Sequence, residues 1–177
     1  MPSFSAPEEG TIIATGGNSA GHGWDDSHTG LIDDDGLAGL NSDVSTHACT
    51  QTQCKCAVSA KNSNKRAFFS MKLDAPKTVL KLQLARRTEC CSGQGQNVKV
   101  QVGTSSQYNA NDPVCMEIAQ LSGTGLVDYD CDQFHAGQYV IISNDQSILT
   151  ICEAKVFVID EGKRDMPLLL LKILQYK

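Results

Sequence analysis

Long apolar runs, basic clusters and aromatic side chains are all scarce in this 177-residue chain, and each shortage narrows what it can be. The longest basic stretches are pairs, Lys65-Arg66, Arg86-Arg87 and Lys163-Arg164, and the formal net charge is −5. Binding a phosphate backbone takes a concentrated positive patch, so nucleic acid is not expected as a partner. The most apolar stretch, Pro167-Leu168-Leu169-Leu170-Leu171, is far shorter than the roughly 20 residues of a bilayer-spanning helix, which argues against membrane insertion. Aromatic residues make up 6% of the chain against fifteen glycines, and no apolar 3.6-residue period of helical length runs through its body. That balance favours a loop-rich β protein over a helical bundle. Catalytic signatures are missing too. There is no HExxH helix, no phosphate-binding P-loop and no acid pair on facing strands, so an enzyme is not expected. No Asn-x-Ser/Thr sequon occurs, and Met1-Pro2-Ser3-Phe4 lacks the basic start and apolar run of a secretory leader. If the protein is secreted, the sequence is that of a mature form.

What the chain does have is cysteine. Eight are present, Cys49, Cys54, Cys56, Cys90, Cys91, Cys115, Cys131 and Cys152. An even, scattered set without His-rich zinc spacing points to disulfides and an oxidising, extracellular setting. A zinc site from Cys49, Cys54 and Cys56 lacks a second paired knuckle. Strand signals come in short runs. Leu80, Leu82 and Leu84 alternate with Lys81 and Gln83, and Val98, Val100 and Val102 alternate with Lys99 and Gln101. A short strand is expected near Thr11–Thr15, an apolar run spans Gln138–Ser143, and Ser147–Ile159 reads as a central strand, apolar on both faces. This spacing predicts an all-β chain, an antiparallel β-sandwich or jelly roll, over residues 11–160. Residues 1–10 read as a mobile lead-in and 161–177 as a tail to which no role is assigned. From Thr11 to Thr52 the chain is rich in Gly, Asp, Ser and Asn, and so long a stretch with little periodic structure needs a metal or a disulfide to hold it.

Two features carry chemistry. Cys90 and Cys91 are neighbours, directly behind Arg87-Thr88-Glu89. Bonded to each other, they would close a tight ring, with Cα atoms about 3.8 Å apart across a trans peptide. The product is a small apolar sulfur platform with a guanidinium close by, suited to a flat ligand with one apolar face and one hydroxylated edge, as a sugar has. The alternative is that each cysteine reaches a separate distant partner. The second feature is Ile32-Asp33-Asp34-Asp35-Gly36, the densest acidic run. It fails the EF-hand pattern, because Leu31 and Ser42 stand where Asp and Glu are needed. Glu153 is notable beside it, a carboxylate inside an apolar strand where burial is costly without compensation. The histidines His22, His28, His47 and His135 have no ligand spacing and read as solvated or capping residues.

Several motifs fall into one order. Arg87-Thr88-Glu89-Cys90-Cys91 resembles the Arg-x-Asp-Cys-Cys signature of F-type lectins, the fucolectin family. Asn97-Val98-Lys99-Val100-Gln101-Val102-Gly103 is similar to the strand that follows that family's ligand loop, and Pro113-Val114-Cys115 resembles its Pro-Val-Cys. Gly137-Gln138-Tyr139-Val140 and Leu149-Thr150-Ile151-Cys152-Glu153 resemble its closing strands. Upstream, Cys49-Thr50-Gln51-Thr52 is similar to Cys-Thr-His-Thr, and Phe68-Phe69-Ser70-Met71-Lys72-Leu73 to Trp-Trp-x-Val-Asp-Leu. The likeness runs from about Thr11 to Asp160.

The resemblance implies a β-jelly roll of discoidin-like topology that binds fucosylated glycans from loops at one end, in cell recognition and innate immunity. It implies disulfides Cys49–Cys152, Cys90–Cys91 and Cys115–Cys131, with Cys54 and Cys56 left as an extra pair. It implies a carbohydrate site of Gln51, Arg87, Glu89, Cys90, Cys91 and Gln94, in which Gln51 and Gln94 stand where the family has a His and a second Arg, and Glu89 stands for an Asp. Charge-assisted donors of that kind suit ring and hydroxyl oxygens. Lys55, Lys61, Lys65 and Arg66 lie between these readers as candidate replacements. It also implies a structural Ca2+ site, with carboxylates from Asp33 and Glu153 and carbonyl oxygens from Gly30, Asp35, Ala48 and Cys152, toward the roughly 6–8 oxygens such an ion takes. A family Ser falls at Ala48. The expected function is that of a secreted, calcium-stabilised lectin whose partners are glycans, fucosylated ones among them. Oligomerisation would supply the multivalency that weak single sites need. The alternative is an extracellular adhesion or protein-interaction domain that keeps the fold and has lost fucose binding.

Overall fold

The computed structural model describes residues 7–18, 56–61, 66–87, 92–123, 125–146 and 148–159. Among them are strands β1 (Glu8–Glu9), β2 (Ile12–Gly17), β3 (Ala57–Ala60), β4 (Ala67–Arg86), β5 (Gln96–Gly103), β6 (Val114–Gln120), β7 (Val127–Asn144) and β8 (Ile148–Ile159), with a short 3-10 turn at Ser92–Gly95. All pairings are antiparallel, in the order β1-β8-β4-β7-β5-β6, with β2 added to β4 and β3 to β8.

A single long ribbon makes both layers of the sandwich. β4 and β7 pair from Ala67↔Asn144 to Lys72↔Tyr139, slip register, then pair again from Lys77↔Gly137 to Leu84↔Val127. The slip falls at Asp74, Ala75 and Pro76, all exposed. Pro76 has no N–H to give a ladder, so it is tolerated only where pairing is interrupted. The Asp74 side chain accepts a bond from the Ala75 N–H at 2.9 Å, and its carboxylate pairs with Lys77 at 3.2 Å. Beyond the slip the neighbours change. The first half of the ribbon carries β2 and β5, and the second half carries β8.

The apolar faces of the two halves meet. Phe69, Met71 and Leu73 come from one layer with Val98, Val100, Val102 and Ile142; Val79, Leu82, Leu84, Val156 and Val158 come from the other. Each large side chain so buried contributes about 1.5–3 kcal/mol. The alternation Leu80/Leu82/Leu84 needs correction. A register shift between Val79 and Lys81 bulges Leu80 out of the core, so Val79 and Leu82 share the buried face. The Val98/Val100/Val102 face holds as expected, and β8 is central, flanked by β4 on one edge and by β1 and β3 on the other.

The lead-in also needs correction at its end. Glu8 and Glu9 pair with Val158 and Phe157 as an edge strand, and Glu9 reaches Lys155 at 3.6 Å. Two disulfides are described. Cys115–Cys131 is as expected. Cys152 bonds Cys56, not Cys49, and Cys56 is therefore not paired with Cys54. The register explains it: Ala57 lies opposite Ile151, so the next step along both strands sets Cys56 against Cys152. No helix among the described residues is long and apolar enough to cross a membrane.

Candidate functional site

The end of β4, the end of β7, the start of β8 and the 3-10 turn converge at one end of the sandwich. β8 is the hinge of this arrangement, since Ile151 lies opposite both Ala57 of β3 and Arg86 of β4. Arg86 is structural. Its Nε donates to the Gly123 carbonyl at 3.2 Å and its Nη1 to the Arg87 carbonyl at 3.3 Å. Arg87 follows immediately and is half-buried. The Cys56–Cys152 bond sits directly behind, packed with Ala85 and Leu126.

Gln94 is held from two sides. The Thr150 hydroxyl donates to its Oε1 at 2.7 Å, and the buried Asn144 amide donates to its main-chain carbonyl at 3.2 Å and to that of Ile148 at 3.1 Å. Next to it, Gly95 lies so close to Leu121 that a Cβ there would stand 3.2 Å from the leucine Cβ, and its carbonyl accepts from the Leu121 N–H at 2.8 Å. The turn is thus fastened to β7, β8 and the segment after β6. Because the carboxamide oxygen of Gln94 is engaged by Thr150, its Nε2 is the group left to donate.

The structure therefore brings Arg87 and Gln94 to the same end. Gln51, Glu89, Cys90 and Cys91 lie outside the described residues, as do Gly30, Asp33, Asp35, Ala48, Cys49 and Cys54. Of the residues implied for calcium, Cys152 and Glu153 are described. Glu153 faces Ala85 across the ladder, is 2% exposed, and lines a cavity of about 310 Å³ with Glu9, Gly10, Thr11, Ile12 and Lys155. Among the described residues no three His, Cys, Asp or Glu side chains group as a metal site. His135 is structural, its Nε2 3.1 Å from the Val114 carbonyl. Arg66, a candidate replacement reader, stands at this same end, one residue before β4.

Sequence reasoning missed Asn144 and Thr150, which fix the Gln94 turn, and also Asn97 and Asp145 beside it. Asn97 had a usable signal: it opens a valine strand, yet its φ is 50°, in the left-handed region that Asn tolerates better than most residues. The Asp145 carboxyl is held below the usual range chiefly by the Gln146 amide, with help from Asn97 and Arg66.

No family model matches this sequence, and no curated protein matches it either. Its fold does match solved structures. A fucolectin from the serum of striped bass, Morone saxatilis, superposes with a TM-score of 0.60 at 17% identity, over 86% of this chain and 46% of that one. A Streptococcus pneumoniae fucose binding module superposes at 0.56 and 16% identity, over 85% of this chain and 96% of the module. The CBM32 module of AlyQ, solved in complex with 4,5-unsaturated mannuronic acid, gives 0.55 at 14% identity, over 85% and 98%. The chain thus spans about half of the striped bass lectin and nearly the whole of each module. The fold is that shared by these lectin and carbohydrate-binding-module β-sandwiches.

Proposed function

We propose that this chain is a secreted glycan-binding module of F-type lectin character, reading fucosylated or related glycans with the loop end that holds Arg87 and Gln94. The observation that supports this reading is the convergence of those two residues at one end of a sandwich whose fold is that of glycan-binding modules. Arg87 brings a fixed fork of charged donors and Gln94 an amide donor, both suited to hydroxyl and ring oxygens. Cys90 and Cys91, joined to each other, would give the apolar surface for a sugar edge, with Gln51 and Glu89 beside them. The described disulfides accord with an oxidising extracellular setting. A structural Ca2+ belongs to the same reading. Glu153, a buried carboxylate in a cavity wall, fits a cation ligand, and Asp33 with the carbonyls of Gly30, Asp35, Ala48 and Cys152 would complete the shell. The ion would tie the loop-rich N-terminal region to β8 and take no part in chemistry.

The test is a glycan array with purified protein in calcium and in chelator. Wild type binds a defined glycan set, and chelation lowers the melting temperature. Arg87→Ala weakens binding roughly 10- to 150-fold, the effect of losing a hydrogen bond to a charged group, with little change in melting temperature. If no glycan binds at high micromolar concentration while the calcium-loaded fold is intact, the lectin reading fails and the adhesion alternative takes its place.

A further inference from the structure

A groove of about 460 Å³ opens beside the loop end, on the outward face of the β5–β6 layer. Its composition follows from the strand registers. Val98 points into the core, so Asn97 and Lys99 point out. Lys99 lies opposite Ser143 on β7 and Glu117 on β6, and Ser143 lies opposite Phe68 on β4. One step toward the loop end, the same registers line up Arg66, Asp145, Asn97 and Ala119. Two rows on four neighbouring strands thus place two cations, two carboxylates and an amide around one groove.

Its parts are held before any ligand arrives. Lys99 and Glu117 are 2.7 Å apart. The guanidinium of Arg66 sits 6.0 Å from the centre of the Tyr108 ring, which itself tilts against Phe68 at 6.3 Å. The loop carrying Tyr108 is tied to the sheet by Gln101, whose amide donates to the Asn109 and Asp112 carbonyls at 3.0 and 2.8 Å. Asn97 is fixed by its left-handed backbone. The Nε of Arg66 is buried and has no hydrogen-bond partner among the described residues, which is costly for a charged donor unless something else satisfies it.

Donors and acceptors alternate across this surface. A sugar hydroxyl donates and accepts at once, so it is satisfied between a carboxylate and a cation or amide. An anionic ligand would meet Asp145 and Glu117, and a purely apolar one would strand the polar groups. The groove also continues from the loop end: Asn97 follows the Gln94–Gly95 turn within three residues, and Asp145 follows Asn144, whose amide holds Gln94. We propose that this groove is a second saccharide subsite, taking a neutral sugar residue that continues from one held at the loop end; this rests on the glycan-binding reading above.

The experiment compares wild type, Asn97→Gly, Asp145→Ser and Arg87→Ala on a printed array of neutral, sialylated and uronic-acid glycans, from single sugars to hexasaccharides. Glycine adopts the backbone of residue 97 without strain and Asp145 is exposed, so both groove variants should melt within about 2 °C of wild type. The subsite predicts that on neutral glycans of three or more sugars Asp145→Ser loses roughly tenfold or more, the effect of a lost charge-assisted bond, and Asn97→Gly roughly three- to tenfold, the effect of a lost neutral one, while single sugars stay within about twofold. Arg87→Ala loses both. Unchanged binding of long glycans by the groove variants overturns the subsite and leaves the loop-end reading standing. Stronger binding of sialylated or uronic-acid glycans by Asp145→Ser overturns the neutral class. Failure of wild type to bind any glycan overturns the loop-end reading and the subsite together.

Discussion

Replacing Cys56 and Cys152 together by alanine should destabilise this domain more than replacing Cys115 and Cys131. Both pairs are buried, with exposures of 4%, 6%, 0% and 7% in that order, so the packing lost with the sulfurs is similar. The loops they close are not. Cys56 and Cys152 are 96 positions apart, Cys115 and Cys131 only 16. Loop-closure entropy gives about 4.7 kcal/mol for the longer loop and about 3.1 kcal/mol for the shorter, a gap of about 1.6 kcal/mol. At this chain length those figures correspond to drops of roughly 10–20 °C and 6–12 °C in melting temperature. Calorimetry of the two double variants, oxidised and at the same pH, measures the difference directly. Equal drops, or the reverse order, refute the argument that the Cys56–Cys152 bond acts mainly by holding β3 to β8 across the chain. The pairing has its own check. A peptide map under non-reducing conditions should join the Cys152 peptide to Cys56, and a map joining it to Cys49 refutes the register argument.

Two further outcomes follow. Glu117, Asp128 and Asp145 all have carboxyls held below their usual range, first by bonds from Lys99, Gln83 and Gln146 respectively. A carboxyl depressed by folding adds stability above its unfolded value near about pH 4 and loses it as pH falls through the folded value. Melting temperature should therefore hold from neutrality to about pH 5 and fall below about pH 4, more shallowly in Glu117→Gln; a decline already present at pH 6 would contradict this assignment. Gly137→Ala would set a Cβ 2.7 Å from the Gly103 carbonyl and 2.7 Å from Val102 Cγ1, beside the end of β5. Overpacking of this kind costs about 1–3 kcal/mol, readable in a urea midpoint, and an unchanged midpoint would show that the two strands can separate there.

Where the sequence was legible, one face of a strand met the core and the other met solvent. The valines of β5 and the long apolar run of β8 announce themselves because burial on one or both faces leaves a simple pattern. β3 and β6 do not. Ala57–Ala60 is too short and small to carry a periodicity, and its place is set by pairing with β8. Val114–Gln120 has a mixed pattern and lies at the end of the strand order, paired among the described residues with β5 alone. Local alternation misread Leu80, since a bulge is decided by the neighbouring strands and not by the residue that is displaced. Disulfide partners were misread for the same reason: which cysteine meets Cys152 depends on the register of β3, which no spacing of cysteines encodes.

The site divides along the same line. Motif order brought Arg87 and Gln94 into view, but their environment came only from contacts between residues about 50 positions apart. Those contacts change how Gln94 is to be understood. An arginine at this position has no acceptor, so it could not receive the Thr150 hydroxyl as the glutamine Oε1 does at 2.7 Å. Glutamine here therefore joins the turn to β8 while keeping an amide to donate, and Thr150 is matched to it. It also bears on why Arg66 counts. Its guanidinium, 6.0 Å from the centre of the Tyr108 ring, lines the groove with Asp145 and Glu117 and sets a positive charge at the same end of the sandwich. If the glycan-binding proposal holds, a cation in this groove would favour contacts to the sugar that follows a terminal one.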